Sequence, residues 1–456
     1  MTADHSHTGS SRRLQESKYN DVIIIGAGIT GTSLLFTLCR YSGIKKVLIL
    51  EKYGGMAQLN SNSRNNAQTL HFGDIETNYS PDKAKETNRA AKMVLNYLSA
   101  IGRKDSAEIY RKVQKMVLAT DDGEVESLEK TYSTIKKIFP ELKIIGGKEI
   151  AKLEPNVVKD RDKDDAILAL NSPNGYMVDF GKLTNSFMIN AKRTNKTIES
   201  RFNEEVISLE EKNGFYEVNT RKGRYYGKFV VFASGTYSLY FAKTMGMDRN
   251  LSVLAVGGDF YYSKKVLRGK VYRVQKGGIP FAAVHGDPDI ANKRVTRFGP
   301  TVSLPLELER GHIETLADYI RTFDFDIDTM ISLKNILLDK DIQRILSRNI
   351  IYSIPIIGKY EFAKMEASKI VPSIKADDLT IAKDIGGIRP QIIDSKKRAL
   401  VLGEEKITKD GMIFNVTPSP GATSCLASAY EDARYITKYL GIEFDESRFA
   451  KEIGIP

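Results

Sequence analysis

Gly26, Gly28, Gly31 and Glu51 have the residue types and the spacing of a site that binds phosphate and ribose. In such a motif the first glycine permits a tight turn, the second lets a pyrophosphate approach the backbone, and the third lets a helix pack on a strand. Glu51 comes 20 residues after Gly31, where a carboxylate binds ribose hydroxyls. These four residues predict dinucleotide binding, and the alternative is a tight strand–helix turn that binds nothing.

A strand, a turn and a helix must position these glycines. The apolar run at 21–25 predicts a buried strand, and the run at 46–50 predicts a second strand that ends at Glu51. The spacing of leucines between Ser33 and Tyr41 predicts a helix, whose N-terminus offers free N–H groups and a partial positive charge to phosphates. The fold class that we predict is therefore α/β, with a Rossmann-like dinucleotide-binding domain.

The segment after the second strand favours FAD over NAD. An NAD enzyme would continue with regular strand–helix units, whereas this chain enters a polar loop at 58–66 and then reaches residues 69–73. A long polar segment at this place suits FAD, because its isoalloxazine ring must be led away from the adenine end. The residues of this part that we predict to contact the cofactor are Lys52, Arg64, Asn65 and Asn66.

Two distant segments support FAD. An apolar strand at 229–232 leads into Ala233, and would bring the backbone back beside the glycine turn. Near the C-terminus, a strand at 412–416 leads into a second turn before a helix at 424–440. The N-terminus of that helix would aim N–H groups at the pyrimidine edge of the flavin, where the reduced ring is an anion. The predicted cofactor contacts in these parts of the chain are Ser234, Gly235, Gly387, Pro420, Gly421, Ala422 and Thr423.

Five stretches carry a family resemblance: NNAQTLH (65–71), PFAAVHGDP (280–288), FGPT (298–301), GIRPQ (387–391) and residues 415–425. On these stretches the chain resembles the malate:quinone oxidoreductases, within the wider group of FAD enzymes built like D-amino-acid oxidase and L-2-hydroxyglutarate dehydrogenase. The resemblance implies a peripheral membrane flavoenzyme of the tricarboxylic acid cycle. Such an enzyme oxidises (S)-malate to oxaloacetate and passes the electrons to a membrane quinone.

Arg389 is the residue that we predict to hold the substrate carboxylate. It follows two glycines and precedes Pro390, which biases it to an extended conformation. A guanidinium binds a carboxylate through two parallel hydrogen bonds, and in the resembled group the arginine of this pattern does that work. The alternative is an arginine paired with a structural acid such as Asp394. Malate needs a second cation, and the candidates, which are otherwise solvated loop arginines, are Arg294 and Arg297.

His285 is the residue that we predict to act as the base, and His71 is its rival. Histidine titrates near neutral pH and is therefore suited to proton transfer. His285 follows the apolar run at 279–284, which predicts a strand with the ring projecting from its end towards the substrate, oriented by Asp287 or Asp289. His71 lies between two apolar residues on the segment expected near the flavin ring. The alternative for each histidine is a buried, hydrogen-bonded side chain.

The composition is that of a globular protein and excludes several classes. Of the 456 residues, 41% are hydrophobic and 27% are charged, and the net charge is +11. The basic residues are spread along the chain without a block of like charges, and we predict no nucleic-acid partner. Two cysteines, Cys39 and Cys425, are too few for a disulfide-stapled fold or a cysteine zinc cluster. We predict no metal site.

The predicted organisation has a tail and two domains. The tail takes 1–19, and a discontinuous FAD-binding domain takes 20–82, 195–250 and 380–456. The substrate domain takes 83–194 and 251–379 and is predicted to be α+β with a mixed or antiparallel sheet. Two windows without charged residues, at 22–39 and 411–430, are interrupted by glycine or proline, and we predict no membrane span.

A basic amphipathic helix at 331–350 is predicted to contact the membrane. Lys340, Arg344 and Arg348 recur every four residues and would lie on one stripe, which suits an anionic membrane surface. The alternative is a helix that packs on the core with a solvated basic face. We expect the protein at the membrane periphery, on the cytoplasmic face of the inner membrane in a bacterium or in the mitochondrion of a eukaryote.

Three functions stay open at this point. The first is oxidation of malate with a quinone as acceptor. The second is a related FAD-dependent dehydrogenase or oxidase that acts on lactate, 2-hydroxyglutarate or an amino acid. The third is a basic nucleotide-binding scaffold without turnover.

Overall fold

The computed structural model of the chain describes residues 19–162, 165–248, 250–275, 283–382, 385–401, 405–416 and 420–456. Its strands are β1 (Tyr19–Ile25), β2 (Lys46–Leu50), β3 (Tyr110–Ala119), β4 (Lys143–Gly146), β5 (Leu168–Val178), β6 (Thr197–Arg201), β7 (Val206–Lys212), β8 (Phe215–Thr220), β9 (Arg224–Phe232), β10 (Leu251–Val256), β11 (Tyr261–Lys264), β12 (Lys270–Arg273), β13 (His285–Pro288), β14 (Val295–Gly299), β15 (Thr380–Ile381), β16 (Arg389–Asp394), β17 (Ala399–Val401), β18 (Glu405–Lys409) and β19 (Met412–Val416). Its helices are α1 (Ile29–Tyr41), α2 (Pro81–Ala100), α3 (Arg103–Ser106), α4 (Asp122–Ile135), α5 (Gly147–Leu153), α6 (Pro155–Val158), α7 (Phe180–Lys192), α8 (Tyr237–Thr244), α9 (Leu316–Ile320), α10 (Ile327–Leu338), α11 (Lys340–Ser353), α12 (Ile357–Phe362), α13 (Ser368–Ile370), α14 (Cys425–Leu440) and α15 (Glu446–Glu452).

The first sheet has a parallel centre that confirms the predicted Rossmann-like unit. Its strands run in the order β18-β19-β9-β1-β2-β6, and the hairpin of β7 and β8 joins it at β9. Strand β1 pairs in parallel with β2 and with β9, and β19 pairs in parallel with β9. Val22, Ile23 and Ile24 are fully buried, as expected for a central parallel strand that is covered on both faces.

One apolar core joins helices from distant parts of the chain. Leu34 and Leu38 of α1 share it with Val94 of α2, Phe187 of α7 and Leu426 of α14. Most of α2 and all of α7 lie in the range 83–194, which was predicted for the substrate domain. Their apolar faces nevertheless pack in the same core as α1.

The second sheet is mixed, as predicted for the α+β part of the fold. Its order is β15-β11-β14-β13-β12-β3-β5-β4, with β12 and β3 parallel and the other neighbours antiparallel. A third, antiparallel sheet runs in the order β10-β16-β17. It pairs Val256 with Arg389, and so sets the residue predicted to hold the substrate at the start of a strand.

The predicted helix at 331–350 is two helices. α10 ends at Leu338 and α11 begins at Lys340, because Asp339 takes an extended conformation between them. Its side chain accepts hydrogen bonds from the backbone N–H groups of Asp341 and Ile342, both at 3.0 Å. A carboxylate that caps a helix in this way stabilises a new N-terminus, and so a second helix begins after Asp339.

Most of the predicted strand at 279–284 lies outside the described residues, which resume at Ala283. Ala283 and Val284 belong to no strand, and β13 begins at His285. His285 therefore opens β13, between β12 and β14.

Candidate active site

A cavity of about 460 Å³ begins where the parallel strands of the first sheet end. Its wall includes Gly26 after β1, Glu51 after β2 and Ser234 after β9, and it reaches Arg389 and Thr423 at the far end. In open α/β sheets, the carboxyl ends of the strands form the crevice that binds ligands. The cavity therefore lies where the sequence predicts the dinucleotide.

The glycine turn at the head of α1 has the geometry that its spacing predicts. Gly26 has a φ of +107°, and a Cβ there would come within 2.5 Å of the Ala233 carbonyl oxygen. A Cβ at Gly31 would overlap the Gly26 carbonyl oxygen, so Gly31 allows α1 to close on the turn and does not line the cavity. Gly28 does line it.

Glu51 joins the turn to the second strand. Its Oε2 accepts from the N–H of Ala27 at 2.8 Å, and its Oε1 accepts from the N–H of Tyr53 at 2.9 Å. Burial raises the pKa of Glu51, and these two hydrogen bonds oppose that effect. The neighbouring Lys52 also lines the cavity, but its ammonium group contacts Glu309 Oε2 at 2.9 Å.

The polar loop at 58–66 reaches the far end of the cavity. Asn65 and Asn66 line the cavity, whereas Arg64 is exposed and outside its wall. Asn60, which the sequence prediction missed, donates to the carbonyl of Ile388 at 2.7 Å and accepts from its N–H at 3.1 Å. An asparagine in a loop of several polar residues carries no signal that would have singled it out.

The other predicted cofactor contacts line the same cavity. They come from the end of β9, from the segment before β16 and from the turn before α14: Ser234, Gly235, Gly387, Pro420, Gly421, Ala422 and Thr423. Thr423 Oγ1 accepts from the N–H of His71 at 3.1 Å, which fixes that turn against the segment after the polar loop.

A second cavity of about 70 Å³ adjoins the first and brings the three predicted catalytic residues together. His71 and Arg389 line both cavities, and His285 lines the smaller one. The remaining wall of the smaller cavity consists of Ala67, Ile75, Glu76, Thr77, Tyr272, Arg273, Gln275 and Ala283.

Arg389 is a cation with no acid against it among the described residues. Burial lowers the pKa of its guanidinium, and the groups that oppose this effect are Tyr79 and Tyr272, not a carboxylate. Asp394, the structural partner that the sequence left open, instead lies 3.4 Å from Lys397 and contacts Asn250. Arg389 thus offers its donors at the junction of the two cavities.

His71 forms a pair with Glu76. The Nδ1 of His71 lies 2.7 Å from Glu76 Oε1. Burial of Glu76 disfavours its charge, but Lys115 and His71 outweigh that effect and lower its pKa to about 2. Because an ionised carboxylate only accepts, Nδ1 of His71 carries a proton, and in the neutral form of the ring the lone pair is on Nε2. Glu76 was missed by the sequence prediction, although it lies only five residues after the histidine.

His285 has an acceptor next to each ring nitrogen. Its Nδ1 lies 3.1 Å from the Ala283 carbonyl oxygen, and its Nε2 lies 3.5 Å from Asp287 Oδ1. Its ring stacks on Tyr272 with 4.7 Å between the centroids. Burial, only partly offset by Asp287, lowers the pKa of His285 to about 4. The ring is therefore neutral at pH 7, and its Nε2 has no hydrogen-bond partner among the described residues.

The two predicted second cations do not line either cavity. Arg297 is fully buried and donates to Asp287 Oδ2 at 3.0 Å, with its guanidinium 4.9 Å from the Phe260 ring centre. It is therefore not a solvated loop arginine. Arg294 is exposed. The burial of Arg297 depends on acids of the neighbouring strand, which its own sequence context does not reveal.

No helix among the described residues has both the length and the apolar composition to cross a bilayer.

Comparison with known proteins identifies close relatives. The family model described as malate:quinone oxidoreductase (Mqo) matches residues 18–431. A probable malate:quinone oxidoreductase of Campylobacter jejuni is 40% identical over 444 residues, which cover 95% of this chain and 98% of that protein. The malate:quinone oxidoreductase of Helicobacter pylori is 38% identical over 446 residues, with the same coverage of 95% and 98%.

Solved structures share the fold at low sequence identity. The dithionite-reduced L-α-glycerophosphate oxidase of Mycoplasma pneumoniae with FAD bound has a TM-score of 0.64 at 19% identity, covering 92% of this chain and 95% of that chain. Glycine oxidase of Geobacillus kaustophilus also has a TM-score of 0.64, at 16% identity and with the same coverage of 92% and 95%.

Proposed function

Because this chain belongs to the malate:quinone oxidoreductase family, we infer that it oxidises malate on bound FAD and passes the electrons to a quinone. The observation that carries the assignment to this site is Arg389, a half-buried cation without an acid partner among the described residues, beside the His71–Glu76 pair. A hydroxy acid needs a group that holds its carboxylate and a group that takes its hydroxyl proton. The site offers one of each.

The residues of the larger cavity fit FAD. A glycine turn without side chains at the head of α1 suits a pyrophosphate. Glu51 lies at the end of β2 for the ribose, and Gly387 lets its segment of the wall pack on the polar loop, because a Cβ there would lie 2.5 Å from Asn60 Oδ1. When bound, FAD supplies the two-electron acceptor for the hydride of the substrate.

Arg389 would fix the orientation of malate. Its planar guanidinium binds a carboxylate through two parallel bonds, which sets the direction of the substrate as well as its charge. No described carboxylate competes for these bonds, so the substrate displaces no internal partner. Burial strengthens the interaction, since the surrounding medium screens less than water does.

His71 is the base that the geometry supports best. In the neutral form of the ring its Nε2 has the lone pair, and the residue lines both cavities, so it would take the hydroxyl proton. Glu76 would hold the tautomer through Nδ1 and stabilise the imidazolium that forms. His285, the base predicted from the sequence, lines only the smaller cavity, and burial lowers its pKa to about 4, so its ring binds a proton weakly. We therefore propose that His285 shapes the wall of the smaller cavity.

Anaerobic titration of the purified flavoprotein tests the function. We expect malate to bleach the flavin absorbance, because the two electrons of its carbon–hydrogen bond pass to FAD, while lactate and 2-hydroxyglutarate bleach it far more slowly. The measurement is the visible spectrum after rapid mixing. Faster bleaching by lactate or 2-hydroxyglutarate would favour the related dehydrogenases. A flavin spectrum that no hydroxy acid changes would favour the scaffold.

We also propose that the segment from 306 to 360 contacts the membrane, where a quinone is found. This segment holds most of the exposed large apolar side chains among the described residues, including Ile327 at 77%, Ile350 at 66% and Ile356 at 76% exposure. Arg344 and Arg348 of α11 are exposed as well. Exposed apolar groups interspersed with cations suit an anionic bilayer surface.

Charge reversal tests this contact. The double variant Arg344→Glu, Arg348→Glu should bind anionic vesicles at least about tenfold more weakly, because each basic residue near the surface contributes about 1 kcal/mol. Vesicle flotation measures the loss, and malate oxidation with a soluble dye should continue. The matched control is Arg193→Glu, Arg434→Glu, which reverses two exposed arginines elsewhere. Equal flotation of the two double variants would contradict the proposal.

A further inference from the structure

Residues 303–310, here named the strap, form a loop whose two ends contact the same segment, residues 257–259. At one end, Gly257 and Ser303 exchange two backbone hydrogen bonds of 2.9 Å, and at the other end Arg310 pairs with Asp259. Leu308 and Glu309, between these points, line the larger cavity. The strap thus belongs to a part of the chain predicted for the substrate domain, yet it forms a wall of the cofactor cavity.

The strap is fastened to the residues that follow the ribose-binding carboxylate. Glu309 Oε2 accepts from Lys52 Nζ at 2.9 Å and from the Tyr53 hydroxyl at 2.5 Å. Glu309 is buried, and the ammonium of Lys52 also lies 5.3 Å from the ring centre of Tyr237. Two charge-assisted hydrogen bonds on one buried carboxylate make a contact that is stronger than a surface ion pair.

A second fastening lies at the end of β9. The hydroxyl of Thr236 donates to the carbonyl of Leu308 at 2.7 Å, and Leu308 is almost completely buried. Thr236 follows Ser234 and Gly235, two of the predicted cofactor contacts. The strap is therefore held on both sides of the adenosine half of the cavity, which Glu51 marks.

We propose that Glu309 is a cofactor-retaining residue, which locks the strap over the adenosine half of FAD by binding Lys52 and Tyr53. The proposal rests on the proposed function in one respect, since it takes FAD as the ligand. FAD leaves this end of the cavity only after the Glu309 contact has opened. Truncation of Glu309 removes both bonds and leaves the Lys52 ammonium without its nearer carboxylate, which speeds the release of FAD.

Release of FAD from the holoenzyme tests the proposal. Free FAD is followed by its fluorescence after dilution at fixed temperature, for wild type, Glu309→Ala, Tyr53→Phe and the control Glu108→Ala. Glu108 is an exposed glutamate that pairs with Lys182 and lines neither cavity. We expect Glu309→Ala to release FAD about tenfold faster or more, Tyr53→Phe to release it severalfold faster, and Glu108→Ala to match wild type.

The single variant Lys52→Met and the double variant Lys52→Met, Glu309→Ala, measured together, distinguish a lock from general loosening. Because both residues belong to one contact, the double variant should release FAD about as fast as the faster single variant.

If Glu309→Ala does not fold, the Tyr53→Phe rate decides, since that change removes a single hydroxyl. Release at the control rate from Glu309→Ala, or from Tyr53→Phe in that case, overturns the proposal. The proposal is also overturned if the effects of Lys52→Met and Glu309→Ala on the rate of FAD release multiply fully in the double variant. Malate bleaching of wild type is measured separately, so a failed substrate assignment leaves this result intact.

Discussion

Replacement of Arg389 by lysine is expected to raise the malate KM by roughly 10- to 100-fold, the range for hydrogen bonds to a charged group. Lysine keeps the positive charge but loses the planar fork, so one of the two parallel bonds to the carboxylate disappears. The partial burial of Arg389 increases the effect, because less water is available to replace the missing bond. Steady-state malate oxidation with a soluble dye gives KM and kcat separately.

The control for this prediction is Arg294→Lys. This variant makes the same exchange at an exposed arginine. The sequence also predicts Arg294 as a substrate-binding residue, but it lies outside both cavities. We expect its KM to equal that of wild type. A normal KM for Arg389→Lys together with a raised KM for Arg294→Lys would place the carboxylate at the other arginine.

The second large effect is expected at His71. His71→Asn should slow the reduction of the flavin by malate roughly 10²- to 10⁴-fold, which is the usual contribution of a general base. Asparagine keeps a polar side chain of similar size but cannot take a proton. The rate is measured by stopped-flow absorbance under anaerobic conditions, at malate concentrations that saturate each variant.

His285→Asn and Glu76→Gln complete the test. His285 lines only the smaller cavity, and burial lowers its pKa to about 4, so His285→Asn should slow reduction much less than His71→Asn. Glu76→Gln keeps the shape but removes the charge that stabilises the imidazolium, so its rate should fall between those of wild type and His71→Asn. A loss of 10²-fold or more in His285→Asn, with a near-normal rate in His71→Asn, would give the base role to His285.

The parts of the fold that follow from neighbouring residues were predictable. The turn at 26–31 and the strands at 46–50 and 412–416 are specified by glycine positions and by short apolar runs, which act locally. The break at Asp339 was also local, since an aspartate that caps a helix was present in the sequence. The predicted stripe of basic residues, which begins at Lys340, did not reveal this break.

The parts that depend on pairing between distant strands were not predictable. Arg297 is buried because β14 sets it beside Asp287 of β13, and a single sequence does not give that register. The stacking of His285 on Tyr272 likewise follows from the pairing of β12 with β13. Arg389 was identified by its own motif, but its lack of an acid partner among the described residues depends on the whole environment that folds around it.

The first sheet has a consequence for the order of events during synthesis on the ribosome. Strand β19 pairs with β9, and the hydroxyl of Ser33 in α1 donates to the carbonyl of Cys425, 392 residues later, at 3.1 Å. The earliest strands therefore wait for residues 412–440 to emerge before their sheet and its covering helix are complete. A chain whose sheet is completed by contacts between such distant residues folds slowly, and its apolar edges stay exposed until those contacts form. The nascent protein thus has a long interval in which chaperones engage β1 and β2 before any cofactor is held.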